Sequence, residues 1–249
     1  VGLVVISVAS VLYFITGFSL PFMDEVQKQE IMQGWLPGSE LIQQEIAAYR
    51  GSWMAQMEKR IPEALMMQTF VFFIQTGWRA GGLMLIGMAF YKWGVLSAGK
   101  STRFYWKMVI AGLVAGFLIV AYGILKNLEN DFSIEYSFFL GSQFNYWGSL
   151  LVSFGYIGLI MLFVKSSFLT ILKKSLQAVG QMALTNYLMQ TIICTTLFYG
   201  HGFGLFGKLE RIEQVLIVIT VWLFQLVVSP VWLKYFKYGP FECLWRSLT

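Results

Sequence analysis

Arg79 is the residue whose type and position most demand an explanation. It stands fifteen residues after Ala64 and twelve before Tyr91 in an apolar run, too deep for its side chain to snorkel easily to either surface. A guanidinium at that depth costs at least about 2.5 kcal/mol, so it should face a bundle interior and meet a carboxylate, carbonyls or water. At about 100° per residue, Gln68, Gln75 and Arg79 fall within about 40° of one another on a helix, forming a polar stripe. Guanidinium chemistry favours a phosphate or carboxylate. These three are therefore candidate substrate-binding residues, and Arg79 is also a candidate catalytic residue that would stabilise a developing oxyanion. Gly81 and Gly82 would let another helix or a ligand approach closely. The competing reading is an arginine locked into a structural hydrogen-bond network.

His201 is the single histidine and the one ready-made general base, which makes it the second catalytic candidate. It lies in Tyr199-Gly-His-Gly-Phe-Gly204, where glycines on both sides would admit a substrate, but an interfacial anchor explains it as well. Before it comes an unusually polar apolar run in which Asn186, Gln190 and Cys194 follow at i, i+4 and i+8. Asn186 and Gln190 are candidate substrate-binding residues, and equally plausible as amides bonding helix to helix. No Ser-His-Asp, HExxH or paired-carboxylate spacing occurs, and Cys194 and Cys243 stand apart, so neither a metal site nor a structural disulfide is expected. Glu242 and Arg246, at i and i+4, read as an exposed ion pair.

The elements that must hold these residues are membrane helices. Of 249 residues 57% are hydrophobic and 12% charged, with a mean hydropathy of +0.64, which excludes an ordinary soluble domain and a disordered chain. Continuous apolar runs such as 108–125 lack the alternation of a β-barrel. The expected fold is all-α, a polytopic bundle of about six spans near 1–20, 64–91, 106–125, 144–164, 179–200 and 213–233. The net charge of +5 is not gathered into one basic face, so the lipid bilayer, and not nucleic acid, is the expected partner. Lysines and arginines at 92–107, 165–174 and 234–246 place those ends, and the C-terminus, in the cytoplasm. All acids but Glu242 fall in the other connections.

Segment 22–63, between a first helix over 1–21 and a membrane domain over 64–249, is the one soluble-looking part. Ile42, Ile46, Tyr49, Trp53 and Met57 recur at helical spacing behind Ser39, a candidate N-cap, and Gly51 interrupts the face. It reads as an extracytoplasmic amphipathic helix among headgroups, ahead of a lid or acceptor-binding element. The chain opens on Val1 within an apolar run, with neither a basic leader nor a cleavage site, and reads as the C-terminal part of a longer protein rather than as one with a signal peptide.

Three stretches carry a resemblance: Gly180-Gln-Met-Ala-Leu-Thr-Asn-Tyr-Leu-Met-Gln-Thr191, Leu197-Phe-Tyr-Gly-His-Gly-Phe-Gly-Leu-Phe-Gly-Lys208, and the closing stretch from Ser229-Pro-Val-Trp to Thr249. Together with Trp78, Arg79 and Gly87–Gly94 they resemble the YeiB-like bacterial membrane proteins, domain of unknown function 418. The resemblance implies a multi-pass protein of the bacterial inner membrane, distantly similar to transmembrane acyltransferases. Such a protein would pass an acyl group from a cytoplasmic donor, acyl-CoA, to a lipid or glycan acceptor outside, with no covalently bound cofactor. Gln181 and His201 depart from the family pattern, in which arginine and an aromatic residue are common there. Two alternatives stay open: a transporter of a small anionic or zwitterionic solute, and a structural membrane subunit.

Overall fold

A computed structural model describes residues 1–19 and 22–248. In chain order the helices are α1 (Gly2–Ser19), α2 (Glu25–Trp35), α3 (Ser39–Arg50), α4 (Trp53–Met66), α5 (Gly77–Lys92), α6 (Thr102–Glu129), α7 (Ile134–Tyr136), α8 (Ser142–Lys165), α9 (Thr170–Gln181), α10 (Ala183–Phe198), α11 (Arg211–Tyr235) and α12 (Pro240–Leu248). Two π-helical segments, Met67–Thr76 and Ser137–Gly141, lead into α5 and α8. There is no strand among the described residues, as hydrocarbon requires of a chain whose backbone must satisfy its own polar groups.

Five helical stretches are long and apolar enough to cross a membrane: Gly2–Ser19, Trp53–Lys92, Thr102–Glu129, Ile134–Lys165 and Arg211–Tyr235. The sixth expected span, 179–200, is not one helix. It breaks at Met182 (φ −108°, ψ 33°), leaving α10 with 16 residues, about 24 Å long against about 30 Å of hydrocarbon. The amphipathic segment divides at Gly51 as its sequence suggests, and α3 begins at Ser39.

The chain forms two compact units. The first, Val1–Gly38 with Pro62–Ser166, contains α1, α2, α5, α6 and α8. Its tightest pair is α6 and α8, which meet through Gly112, Gly116 and Gly123 on one side and Gly148, Gly155 and Gly158 on the other. Small residues let membrane helices bring their backbones together where apolar burial supplies no drive. Gly82 likewise sits against α1, where a Cβ would stand 2.7 Å from the Gly2 carbonyl, whereas Gly81 faces open space. Ile6 and Ala9 of α1 pack with Tyr146 and Leu150 of α8 in the buried core. Polar bonds join the same two helices: Tyr146 donates to the Ile6 carbonyl (2.9 Å), and Ser10 to Gln143 Oε1 (2.5 Å).

The second unit, Ser39–Ile61 with Ser167–Thr249, contains α3, the start of α4, and α9 to α12. Gln225 and Ser229 of α11, both buried, face α10. At the break before α10, Glu242 of α12 accepts from the Thr185 N–H (3.0 Å) and from the Thr185 hydroxyl. A carboxylate from 57 residues downstream thus caps α10 at its positive end.

Candidate functional site

In the first unit Arg79 is half-buried and lies in the second membrane-spanning stretch. Its Nη2 donates to Ser149 Oγ (2.9 Å), and its guanidinium carbon lies 4.2 Å from the centre of the Tyr146 ring. An aromatic face steadies a cation by about 0.5–2 kcal/mol, depending on desolvation, without neutralising it. Among the described residues no carboxylate stands within ion-pair distance of Arg79. Beside it is a cleft of about 110 Å³ lined by Tyr13, Gln75, Ser142, Gln143 and Asn145 with Arg79 and Tyr146. Gln75 Oε1 accepts from the Tyr13 hydroxyl (2.8 Å), which orients the amide. Every lining side chain is thus a neutral hydrogen-bonding group or the arginine itself, a set suited to holding an anionic oxygen.

Gln68 does not join this cleft; it is exposed in the π-helical segment. The reason is geometric. Bonding from i to i+5 widens the turn and reduces the rotation per residue, so the 100° step that aligns Gln68 with Arg79 fails across Met67–Thr76. Both π-helical segments end beside the cleft, one supplying Gln75 and the other opening directly onto Ser142 and Gln143. Such segments are rare and concentrate at functional sites. Sequence reasoning missed Ser149 and Tyr146, although Ser142, Gln143, Asn145 and Ser149 mark the start of α8 as polar for a span.

Asn186 and Gln190 belong to the second unit, and α11 already engages them. Asn186 Nδ2 donates to Ser229 Oγ (3.1 Å) and to the Val179 carbonyl (3.1 Å), and Gln190 Nε2 donates to Gln225 Oε1 (2.8 Å). Gln225 in turn donates to the Asn186 carbonyl (2.9 Å). This network binds helix to helix, as interhelical amides do in membrane bundles.

His201 is exposed, with Nδ1 3.3 Å from Gln56 Oε1 and its ring edge-on to Trp53. Gln56, fully buried, donates to the Tyr49 and Gly51 carbonyls (3.2 and 3.1 Å) and so pins the turn between α3 and α4. Tyr49 stacks on Phe206, Arg50 Nε donates to the Phe206 carbonyl (2.7 Å), and the Gly200 N–H donates to the Tyr49 carbonyl (2.9 Å). The turn between α3 and α4 is therefore docked on the loop after α10. His201 belongs to that dock, with no acid or nucleophile beside it among the described residues.

Glu242 and Arg246 do not pair. Arg246 donates to the Tyr238 hydroxyl (2.8 Å) and stacks 4.0 Å over its ring, while Glu242 caps α10. Burial alone would raise the Glu242 carboxyl. The Thr185 hydroxyl and the backbone N–H groups of Thr185, Glu242 and Leu184 outweigh it and hold the group below its ordinary value. A depressed folded pKa adds stability that is complete above the unfolded value and is lost as pH falls through the folded one. An environment-sensitive dye on exposed Cys243 should thus report an unchanged α12 from pH 8 to 5 and its release only in stronger acid. Glu242→Gln should flatten that titration; an identical curve for the variant would contradict the cap.

Helix-only spans, glycine-packed interfaces and a polar cleft at membrane depth define an all-α, multi-pass membrane protein. A family model described as a protein of unknown function, DUF418, matches residues 90–249, and the chain belongs to this YeiB-like family. It is 38% identical over 182 residues to the uncharacterized protein YeiB of Escherichia coli K12, covering 70% of this chain and 45% of YeiB. It is 35% identical over 245 residues to the uncharacterized protein YxaH of Bacillus subtilis 168, covering 93% of this chain and 57% of YxaH. The chain spans about half the length of these relatives. No solved structure matches it.

Proposed function

We propose that this chain supplies the anion-recognising part of a membrane protein that transfers an acyl group from a cytoplasmic acyl-CoA to a lipid or glycan acceptor on the other side of the bacterial inner membrane. The observation that carries it is the unpaired Arg79 guanidinium in a membrane-spanning helix, facing neutral hydrogen-bonding groups. A charge there is costly until an anion meets it, so its retention is best explained by an anionic partner. In acyl transfer that partner is an anionic group of the donor or the oxyanion of the reaction, where one preorganised donor is worth about 2.7–4 kcal/mol. Transfer as the chemistry rests on what the resemblance read from the sequence implies, and the distribution of lysine and arginine supports a cytoplasmic C-terminus.

The cleft lining favours a second reading. Among the described residues it holds no carboxylate, imidazole or thiol that would serve as base or nucleophile, which suits passage of an anionic or zwitterionic solute without chemistry.

Sealed vesicles carrying the intact protein, supplied with acyl-CoA labelled in the acyl group, separate the two. The expected result is label on an acceptor, reduced about a hundredfold or more by Arg79→Ala in protein that still inserts and folds. Folded protein that transfers no label from any common acyl donor would exclude acyl transfer and favour transport.

A further inference from the structure

The second unit holds a groove of about 540 Å³, within the roughly 300–1,000 Å³ of small-molecule sites. Ile42 and Ile46 of α3 form one wall, and Phe198 and Phe206 another. Glu45 is the one charged residue lining it, and among the described residues it has neither an ion pair nor a hydrogen bond. On α3 it shares the groove side with the two isoleucines, one turn apart, instead of facing away from them. The walls are held in place: Arg50 bonds the Phe206 carbonyl, and Gly207, at φ 66°, turns the chain beneath Ile46.

The depth of the groove points to its occupant. Gln214, in the first turn of the spanning helix α11, also lines it, so the groove lies where that span enters the membrane and lipid headgroups meet acyl chains. A hydrocarbon wall with a single unpaired carboxylate complements a hydrocarbon chain attached to a small cation. We propose that this groove binds a membrane lipid with a primary-ammonium headgroup, one acyl chain lying between α3 and Phe206 and the ammonium donating to the Glu45 carboxylate. A primary ammonium carries N–H donors for that carboxylate, a quaternary choline carries none, and a glycerol headgroup carries no cation. The site is separate from the Arg79 cleft and stands whether or not the chain takes part in acyl transfer.

Cys194 lines the groove and serves as its reporter. The intact protein is placed in nanodiscs of phosphatidylcholine alone, or of phosphatidylcholine mixed with equal parts of phosphatidylethanolamine or phosphatidylglycerol. Alkylation of Cys194 by N-ethylmaleimide is followed by peptide mass spectrometry, with exposed Cys243 as internal control. Phosphatidylethanolamine should slow Cys194 about tenfold relative to the other two lipids, as one charge-assisted hydrogen bond allows. Glu45→Gln should abolish the difference, Arg79→Ala should leave it intact, and Ile46→Trp, which fills the groove, should slow Cys194 in all three. Equal rates in the three lipids while Ile46→Trp still protects would overturn recognition of the ammonium. A Cys194 indifferent to Ile46→Trp would overturn the groove itself.

Discussion

Gly112→Leu is expected to abolish the folded membrane bundle, whereas Gly81→Ala is expected to leave it intact or slightly steadier. A Cβ at position 112 would stand 2.6 Å from the Gly155 nitrogen and 2.7 Å from the Leu151 oxygen, both backbone atoms of α8 that no rotamer change can move. The helices would have to separate, and with them the contacts through Gly116, Gly148 and Gly158 that depend on the same spacing. Overpacking costs about 1–3 kcal/mol where side chains can yield, and more where backbone must shift. A loss of at least about 3 kcal/mol is expected here, a large fraction of the stability of an ordinary domain. At Gly81 an added methyl meets nothing within 4 Å, and alanine favours a helix interior over glycine by about 1 kcal/mol. Size-exclusion profiles and thermal midpoints in detergent distinguish the two; a Gly112→Leu protein with the native profile and midpoint would refute the close α6–α8 packing.

Gln56→Leu should release α3 and the start of α4 from the loop after α10. The side chain is fully buried, and its amide supplies donors to the Tyr49 and Gly51 carbonyls at the turn between these helices. Leucine is of similar size but donates nothing: the Tyr49 carbonyl keeps the Gly200 N–H, the part-buried Gly51 carbonyl loses its side-chain donor, and such a loss costs about 1–3 kcal/mol. The Gly200 N–H bond to Tyr49 and the Arg50 bond to Phe206 lean on the same turn, so that loss should open the dock. Hydrogen exchange at residues 49–51 and 199–207 should accelerate by about tenfold or more. His201→Phe keeps both Gln56 donations and should accelerate that exchange less. Exchange unchanged in Gln56→Leu would show that the aromatic stack of Tyr49 on Phe206 suffices.

The membrane-spanning helices were legible because lipid leaves a chain few options: runs such as 108–125 must be helical, and their ends are marked by charge. Arg79 was legible for the same reason, since a cation at that depth stands out against its apolar neighbours. Its partners were not, because Tyr146 and Ser149 lie about seventy residues away and only packing brings them near. Gln68 was misplaced by applying an α-helical rotation to residues that fold as a π-helix, and no local residue pattern announces that segment. The break at Met182 was equally hidden: the residues around it read as one apolar run, and the carboxylate that caps the second piece arrives from α12. Nothing in the amphipathic pattern around Trp53 and Met57 singled out Gln56, the fully buried residue that holds the dock.

The capping of α10 by Glu242 bears on how the protein can be handled in the laboratory. Residues 240–248 have the look of a peripheral helix beyond the α11 span, a place where a deletion or a spliced fluorescent reporter would seem harmless. Here they close a helix within the bundle. Trimming ahead of Pro240 would remove the acceptor for the Thr185 N–H and hydroxyl, and would count as an internal lesion rather than a cosmetic shortening. A reporter spliced near this stretch must leave Glu242 seated on Thr185 and Arg246 on Tyr238.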